Sequence, residues 1–378
     1  MGQCDSKPAP KKKQFKKAFD PTFGKDPSLN MADYMLSNAK NETVVREDMK
    51  GQQFVLEECD SCLVALQDTV AALTCDYLTN CVVVTGPVSS SAFIRNCTNC
   101  TFVVAAAQFR TRECKNCRFF LYTSTEPIIE TSEKIGIGCY DLTYFNLPSQ
   151  FEGAGLSVWN NKWSEVYDFT PSAGTTNKNS GNWKALDMGA ESSETGLRSR
   201  HAWLTDEQLE TLRGLAGGGE AVPLSMGKAA AAGANGGKEA GECLLFVATP
   251  GVDFGELLGK YLGWSAGRKS PDSGKGWALR EAALVRSRVL RVSAAQAALL
   301  FKGEAEKKRR AELAGMASGK TGVGGDTLIV EMRVGEGGGA ARGELVALLG
   351  AAGGVWVGEG EAGEEAARQV FEYWKEEQ

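Results

Sequence analysis

The sequence predicts a two-part β and α/β protein, a parallel β-helix followed by a ferredoxin-like α/β domain, and three observations carry that reading. Short apolar runs led by cysteine recur at a fixed interval between residues 51 and 151. A glycine- and alanine-rich stretch, 214–241, interrupts the chain. Beyond it, strand and helix patterns alternate. A length of 378 residues suits two such domains and a tail, because single cores stop growing at about 250–300 residues.

Residues 1–30 form the tail. Lys7, Lys11, Lys12, Lys13, Lys16, Lys17 and Lys25 stand against Asp5, Asp20 and Asp26, a local charge of +4 without apolar periodicity, which predicts a flexible basic arm. The β-helix domain, with a C-terminal extension, is expected over 31–213. Cys62, Cys81, Cys100 and Cys117 each lead into an apolar run (Leu63–Leu66, Val82–Val84, Phe102–Val104, Phe119–Tyr122) at intervals of 19, 19 and 17 residues. Cys59, Leu78, Cys97 and Cys114 follow in the same register. A period near 18 fits a coil of three short strands separated by turns, so stacked coils pair in parallel and equivalent positions form axial ladders. The pairs in CDSC, CTNC and CKNC also read as zinc half-sites. The repeat favours a stack of small apolar side chains inside a narrow coil, and no metal site is expected.

In the extension, Thr205 and Gln208 of TDEQLETLRGL form a capping-box signature, with Leu204, Leu209 and Leu212 as the helix's apolar face. Residues 214–241 read as a linker. The domain over 242–378 is expected as strand Cys243–Ala248, helix Asp253–Leu262, strand Trp277–Val285, helix Ser293–Ala314, strand Thr327–Met332, helix Arg342–Leu349, strand Val355–Val357 and helix Glu364–Trp374.

Forty-two basic against 47 acidic residues, a net charge of −5, argue against a nucleic-acid binder with a broad basic face. No run approaches 18 apolar residues, and MGQCDSKPAPKKK lacks the apolar core of a signal peptide, so a cytosolic protein with reduced thiols is expected. His201 is the single histidine, which excludes multi-histidine metal centres. Gly315–Thr321 approaches a phosphate-binding loop, but Ala314 stands where that motif requires glycine and a helical pattern precedes it.

Two groups of residues offer chemistry. MGQCDS fits the N-myristoylation pattern on Gly2, and a single acyl chain holds a membrane only marginally, with K of about 10⁴ M⁻¹. Cys4 as a palmitoylation candidate would complete the anchor together with Lys11, Lys12, Lys13, Lys16 and Lys17, each adding about 1 kcal/mol near an anionic leaflet. The alternative is a solvated, unmodified tail. In Gln108-Phe109-Arg110-Thr111-Arg112 the two arginines share one face of a strand, which describes either a solvated pair or a positioned arginine. Glu130 follows Arg110 by 20 residues, about one coil, and could hold its guanidinium.

The runs DYMLSNAKNETVVRE (33–47), GQQFVLEECDSC (51–62), GPVSSSAFIRNCTNC (86–100), QFRTREC (108–114), EPIIETSEKIGIGC (126–139) and FEGAGLSVWNNKWSEVYDFTP (151–171) resemble the tubulin-cofactor-C domain family, in its membrane-anchored branch. The resemblance is dense over about residues 30–185. It implies a right-handed β-helix that activates an Arf-like small GTPase in its GTP form, in ciliary trafficking of lipidated proteins. The implied location is the cytoplasmic face of the plasma membrane, at the ciliary base or cilium. Arg110 is then the arginine finger, Glu130 the carboxylate that orients it, Gln108 a supporting side chain and Phe169 a contact to the GTPase. Phe109, next to the finger, is expected as a second contact. Ala107 departs from a glutamine of the family pattern, and Gln3 separates Gly2 from Cys4. GTP and Mg²⁺ belong to the partner, and no cofactor of the protein's own is implied. The pattern beyond 242 agrees with the nucleoside-diphosphate-kinase-like domain of that branch. Such chemistry needs a phosphorylated histidine, and His201 lies before the linker, so an interaction module is expected instead. The alternatives are a tubulin-folding cofactor acting on tubulin-bound GTP, and a membrane adaptor that binds a GTPase without accelerating it.

Overall fold

A computed structural model describes residues 29–170, 181–186, 204–215, 242–266, 282–300, 326–334, 338–350 and 354–373, with isolated positions between 188 and 227. Gly2, Cys4, Lys11, Lys12, Lys13, Lys16, Lys17, His201 and the Gly315–Thr321 segment lie outside the described residues.

The first part is a parallel β-helix. A 3₁₀ turn (Met31–Tyr34) leads into β1 (Met35–Ser37), β2 (Thr43–Arg46), β3 (Phe54–Glu57), β4 (Leu63–Leu66), β5 (Leu73–Asp76) and β6 (Val82–Arg95). There follow β7 (Thr101–Arg112), β8 (Arg118–Thr123), β9 (Ile128–Glu130), β10 (Ile135–Cys139), β11 (Tyr167–Asp168) and β12 (Trp183–Ala185). One ladder runs through β1, β3, β5, the second halves of β6 and β7, then β9 and β11. The other runs through β2, β4, the first halves of β6 and β7, then β8, β10 and β12. Leu63, Val82, Thr101 and Arg118 lie opposite one another in turn, so the intervals of 19, 19 and 17 in the cysteine repeat are the coil length itself. The expected short strands give way in β6 and β7 to continuous strands of 14 and 12 residues that cross a corner. Irregularities between Val84 and Pro87 and between Val88 and Ser91 bend them. At that bend only glycine fits position 86, where a Cβ would stand 2.3 Å from Tyr144 Oη and 2.6 Å from the Asp68 carbonyl.

The opposite corner repeats one device. Glu58 and Ser61, Tyr77 and Asn80, Asn96 and Asn99, Glu113 and Asn116, Thr131 and Lys134 all take left-handed backbone, with φ between 45° and 57°. Asparagine recurs there because its short polar side chain tolerates that region. It also ties coils together: Asn99 Nδ2 donates to Asn80 Oδ1 at 3.3 Å and Asn116 Nδ2 to Asn99 Oδ1 at 2.8 Å. Inside this corner the cysteines are buried and unbridged. Cys62, Cys81, Cys100 and Cys117 each donate a thiol to the carbonyl two residues back, at 3.4, 3.2, 3.3 and 3.4 Å. Cysteine fits because it combines small apolar volume with a weak donor. Burial pushes the thiols of Cys75, Cys97 and Cys100 well above the ordinary range.

The extension packs back on the coil through α1 (Leu147–Gly153) and α2 (Asp206–Leu215). The capping box forms: the Gln208 amide N–H donates to Thr205 Oγ1 at 3.2 Å, and the Thr205 N–H donates to Gln208 Oε1 at 3.0 Å. Gln208 Nε2 also reaches the Glu42 carbonyl at 3.3 Å, which locks the helix to an early coil. Part of the expected linker belongs to this domain. Val222 is buried in the coil's core, and Ser225 Oγ accepts the Trp163 indole N–H at 2.9 Å.

The second part has β13 (Glu242–Ala248), α3 (Phe254–Ala266), β14 (Ala282–Leu290), α4 (Ala294–Leu300) and β15 (Thr327–Val334). It continues with α5 (Gly339–Gly350), β16 (Val355–Glu359) and α6 (Gly360–Arg368), which runs into a π turn (Gln369–Tyr373). The sheet order is β14-β15-β13-β16 with every neighbour antiparallel, the strand arrangement of a ferredoxin-like sheet. The second strand extends past the expected end at Val285 to Leu290, and Arg286 and Arg288 are buried in the sheet. The two parts meet at Trp159, whose indole donates to the Phe254 carbonyl at 3.2 Å and packs with Leu257 and Tyr261. Among the described residues no helix is long and apolar enough to cross a membrane.

Candidate functional site

The second half of β7 alternates with strand periodicity. Gln108, Arg110 and Arg112 face outward and Phe109 and Thr111 face inward. This corrects one expectation: Phe109 is 2% exposed and cannot meet a partner. Its ring packs edge-on to Phe119 at 5.1 Å, and Phe119 stacks on Phe102 at 5.1 Å, so Phe109 anchors the strand from within.

Arg110 Nε lies 3.5 Å from Glu130 Oε1, with side chains 49% and 28% exposed. The contact is diagonal. In the ladder Arg110 stands opposite Ile128, and Glu130 opposite Arg112, so the pair spans two positions along the strand as well as one coil. An exposed pair of this kind contributes about 0–1 kcal/mol to stability, so its consequence is orientation. Arg112 turns to its neighbour Glu113, Nε to Oε1 3.8 Å.

On the next coil, Phe169 is 54% exposed. Its N–H donates to the Ile129 carbonyl at 2.7 Å, and its ring lies 4.5 Å from that of Tyr167. Between them Asp168 turns inward, accepting the Thr170 N–H at 2.7 Å and Asn182 Nδ2 at 3.0 Å. That buried carboxylate holds the segment so that the flanking aromatics stay on the surface. Arg110, Glu130, Tyr167 and Phe169 thus share one face of the coil, and Gln108 lies on the same strand surface two residues before Arg110.

Two members of the face escape sequence reasoning. Phe93 stands opposite Arg110 one coil earlier, and Arg95 opposite Arg112. Arg95 Cζ lies 4.9 Å and Arg110 Cζ 6.0 Å from the Phe93 ring centroid. Arg95 is paired with Asp76, Nε donating to Oδ1 at 2.6 Å. The signal that could have found Phe93 is the repeat itself, since it precedes Arg110 by 17 residues. What this face offers is a planar, charged donor set held at the surface, suited to an anionic oxygen presented by another molecule.

Residues 51–169 match the family model described as tubulin binding cofactor C. The chain is 37% identical over 158 residues to Protein XRP2 of Danio rerio, covering 41% of this chain and 42% of that protein. It is 41% identical over 147 residues to Protein XRP2 of Homo sapiens, covering 38% and 42%. It is 36% identical over 136 residues to tubulin-folding cofactor C of Arabidopsis thaliana, covering 35% and 39%. The chain spans about two-fifths of the length of these curated relatives. Over residues 51–169 the β-helical part of this chain therefore matches the tubulin binding cofactor C family, and over about the same part the chain is similar to the proteins named XRP2.

Proposed function

We propose that the β-helix is a GTPase-activating surface that supplies Arg110 in trans to the GTP of an Arf-like small GTPase. The observation that carries this reading is the half-exposed Arg110, paired with Glu130 at 3.5 Å on a face that also presents Phe169. GTP hydrolysis is slow because charge developing on the phosphate oxygens lacks compensation, and an arginine inserted from outside is worth about 10³–10⁵ in rate, or roughly 4–7 kcal/mol. A guanidinium on a rigid coil and oriented by a carboxylate loses little freedom on insertion. Gln108 would support the finger and Phe169 would dock against the GTPase, whereas buried Phe109 would act only through the strand. GTP and Mg²⁺ would be the partner's, with no cofactor held by this chain. Gly2, Cys4 and the lysines of the arm would tether the protein by acyl chains and charge to the cytoplasmic face of the plasma membrane, at the ciliary base or cilium, for transport of lipidated proteins. The C-terminal domain would serve as an interaction module without nucleoside diphosphate kinase activity.

Similarity to tubulin-folding cofactor C supports a second reading, the same finger acting on tubulin-bound GTP. Single-turnover GTP hydrolysis separates the readings. The purified chain is added to GTP-loaded Arf-like GTPases and, separately, to tubulin heterodimer. Acceleration of an Arf-like GTPase is expected. Acceleration with tubulin alone would favour the second reading, and binding to the GTPase without acceleration would leave an adaptor.

A further inference from the structure

Among the described residues the half-exposed Arg110 has one carboxylate partner, Glu130, reached at 3.5 Å, which by itself leaves the guanidinium plane free to turn about that contact. A second constraint lies on the other side. Phe93, directly opposite Arg110 in the β6–β7 ladder, brings its ring to 6.0 Å from Arg110 Cζ. The ring is itself fixed. Arg95 covers it at 4.9 Å, and Arg95 is clamped by Asp76 through two contacts, Nε to Oδ1 at 2.6 Å and Nη2 to Oδ2. Asp76 lies one coil further back in the same column. Charge-assisted, two-pronged pairing is the most geometrically restrictive contact an arginine makes.

From this chain we infer that Phe93 is a positioning residue for Arg110, with Asp76 and Arg95 acting as the clamp that holds its ring. The inference rests on the GTPase-activating reading above. Its physical content lies in which parts of the guanidinium are used. An aromatic ring attracts a cation through its face, and so restrains the plane without consuming an N–H donor. Glu130 engages Nε. The two Nη groups are left to meet anionic oxygen of a phosphoryl group in transfer. An ammonium or a second carboxylate in place of the ring would either repel the finger or occupy those donors. Phe93 therefore acts through Arg110 and touches no reacting atom.

The test is single-turnover hydrolysis by an Arf-like GTPase that the full chain accelerates, titrated with wild type, Phe93→Leu, Phe93→Tyr and Arg110→Ala. Leucine keeps the apolar bulk and removes the ring face, whereas tyrosine keeps the face. Phe93→Leu is expected to lower the saturating rate about fivefold, the rate equivalent of one exposed cation–π contact, with the half-saturating concentration unchanged. Phe93→Tyr is expected to restore the rate. Thermal midpoints for both are expected within a few degrees of wild type, so misfolding is not the cause. Equal rates for Phe93→Leu and wild type would overturn the inference, as would equal impairment of the leucine and tyrosine variants. A change confined to the half-saturating concentration would also overturn it, making Phe93 a docking contact. These outcomes leave the GTPase-activating reading standing provided Arg110→Ala abolishes acceleration. Retention of acceleration by Arg110→Ala would remove that reading, and this inference with it.

Discussion

The two halves of the molecule use the same trio, one phenylalanine ring carrying two arginines, in opposite surroundings. On the coil Phe93 takes Arg95 at 4.9 Å and Arg110 at 6.0 Å, and Arg110 remains half exposed. In the C-terminal domain Phe371 takes Arg286 at 4.5 Å and Arg288 at 5.5 Å, and both arginines are buried. There Glu331, fully buried, accepts from Arg286 Nε at 2.5 Å and from Arg333 Nη2 at 3.0 Å. Arg288 donates to the Val370 carbonyl at 3.0 Å and reaches Glu165 of the coil domain at 3.4 Å. The chemistry is shared and the accessibility is not. A buried guanidinium tied to a buried carboxylate and an aromatic ring joins elements together, whereas one held from two sides and half exposed can be offered to another molecule.

This contrast predicts opposite consequences of deleting a charge. Glu331→Ala leaves two buried guanidinium groups without their shared carboxylate and should destabilise the C-terminal domain by about 3–5 kcal/mol in urea unfolding. A loss below about 1 kcal/mol would mean that water reaches the network and that the contrast is one of degree. Phe109→Ala, which empties a buried site in the coil beside Phe119, should cost about 3 kcal/mol, and activity should fall only as far as the fold does. Activity lost at full stability would return Phe109 to the partner interface. The smallest effect should follow Arg112→Ala, within about 0.5 kcal/mol, because its pairing with Glu113 is solvent-exposed. A larger loss would show that outward charges on this face also hold the coil together.

How legible these features are in the sequence depends on what each one rests upon. The coil announces itself because stacking gives equivalent positions the same environment, so Cys62, Cys81, Cys100 and Cys117 repeat at the coil length. The Thr205–Gln208 capping box is local and equally plain. Phe109 misleads by adjacency to Arg110, although a period of two along the strand already turns it inward. The Arg110–Glu130 contact follows from coil length only to within two residues, since the register pairs Glu130 with Arg112. Phe93 lies one repeat before Arg110 and so is reachable from the spacing, whereas its ring contacts with Arg95 and Arg110 depend on side-chain packing across the coils, which spacing does not show. In the C-terminal sheet, Arg286 and Arg288 look like the end of a strand because their partners, Glu331 and Phe371, lie far along the chain.

The central claim is that Arg110 compensates charge in a transition state on another protein. It is tested most directly by single-turnover GTP hydrolysis with Arg110→Ala and Arg110→Lys, alongside affinity for the GTP-loaded partner. The account predicts that Arg110→Ala lowers the stimulated rate by about 10³ or more while affinity changes far less, because the contact is made mainly to developing charge. Arg110→Lys should be nearly as damaging, since an ammonium lacks the planar donor fork. An Arg110→Ala protein that stimulates hydrolysis to within about threefold of wild type, against the roughly 10³-fold loss expected of a finger, would contradict it.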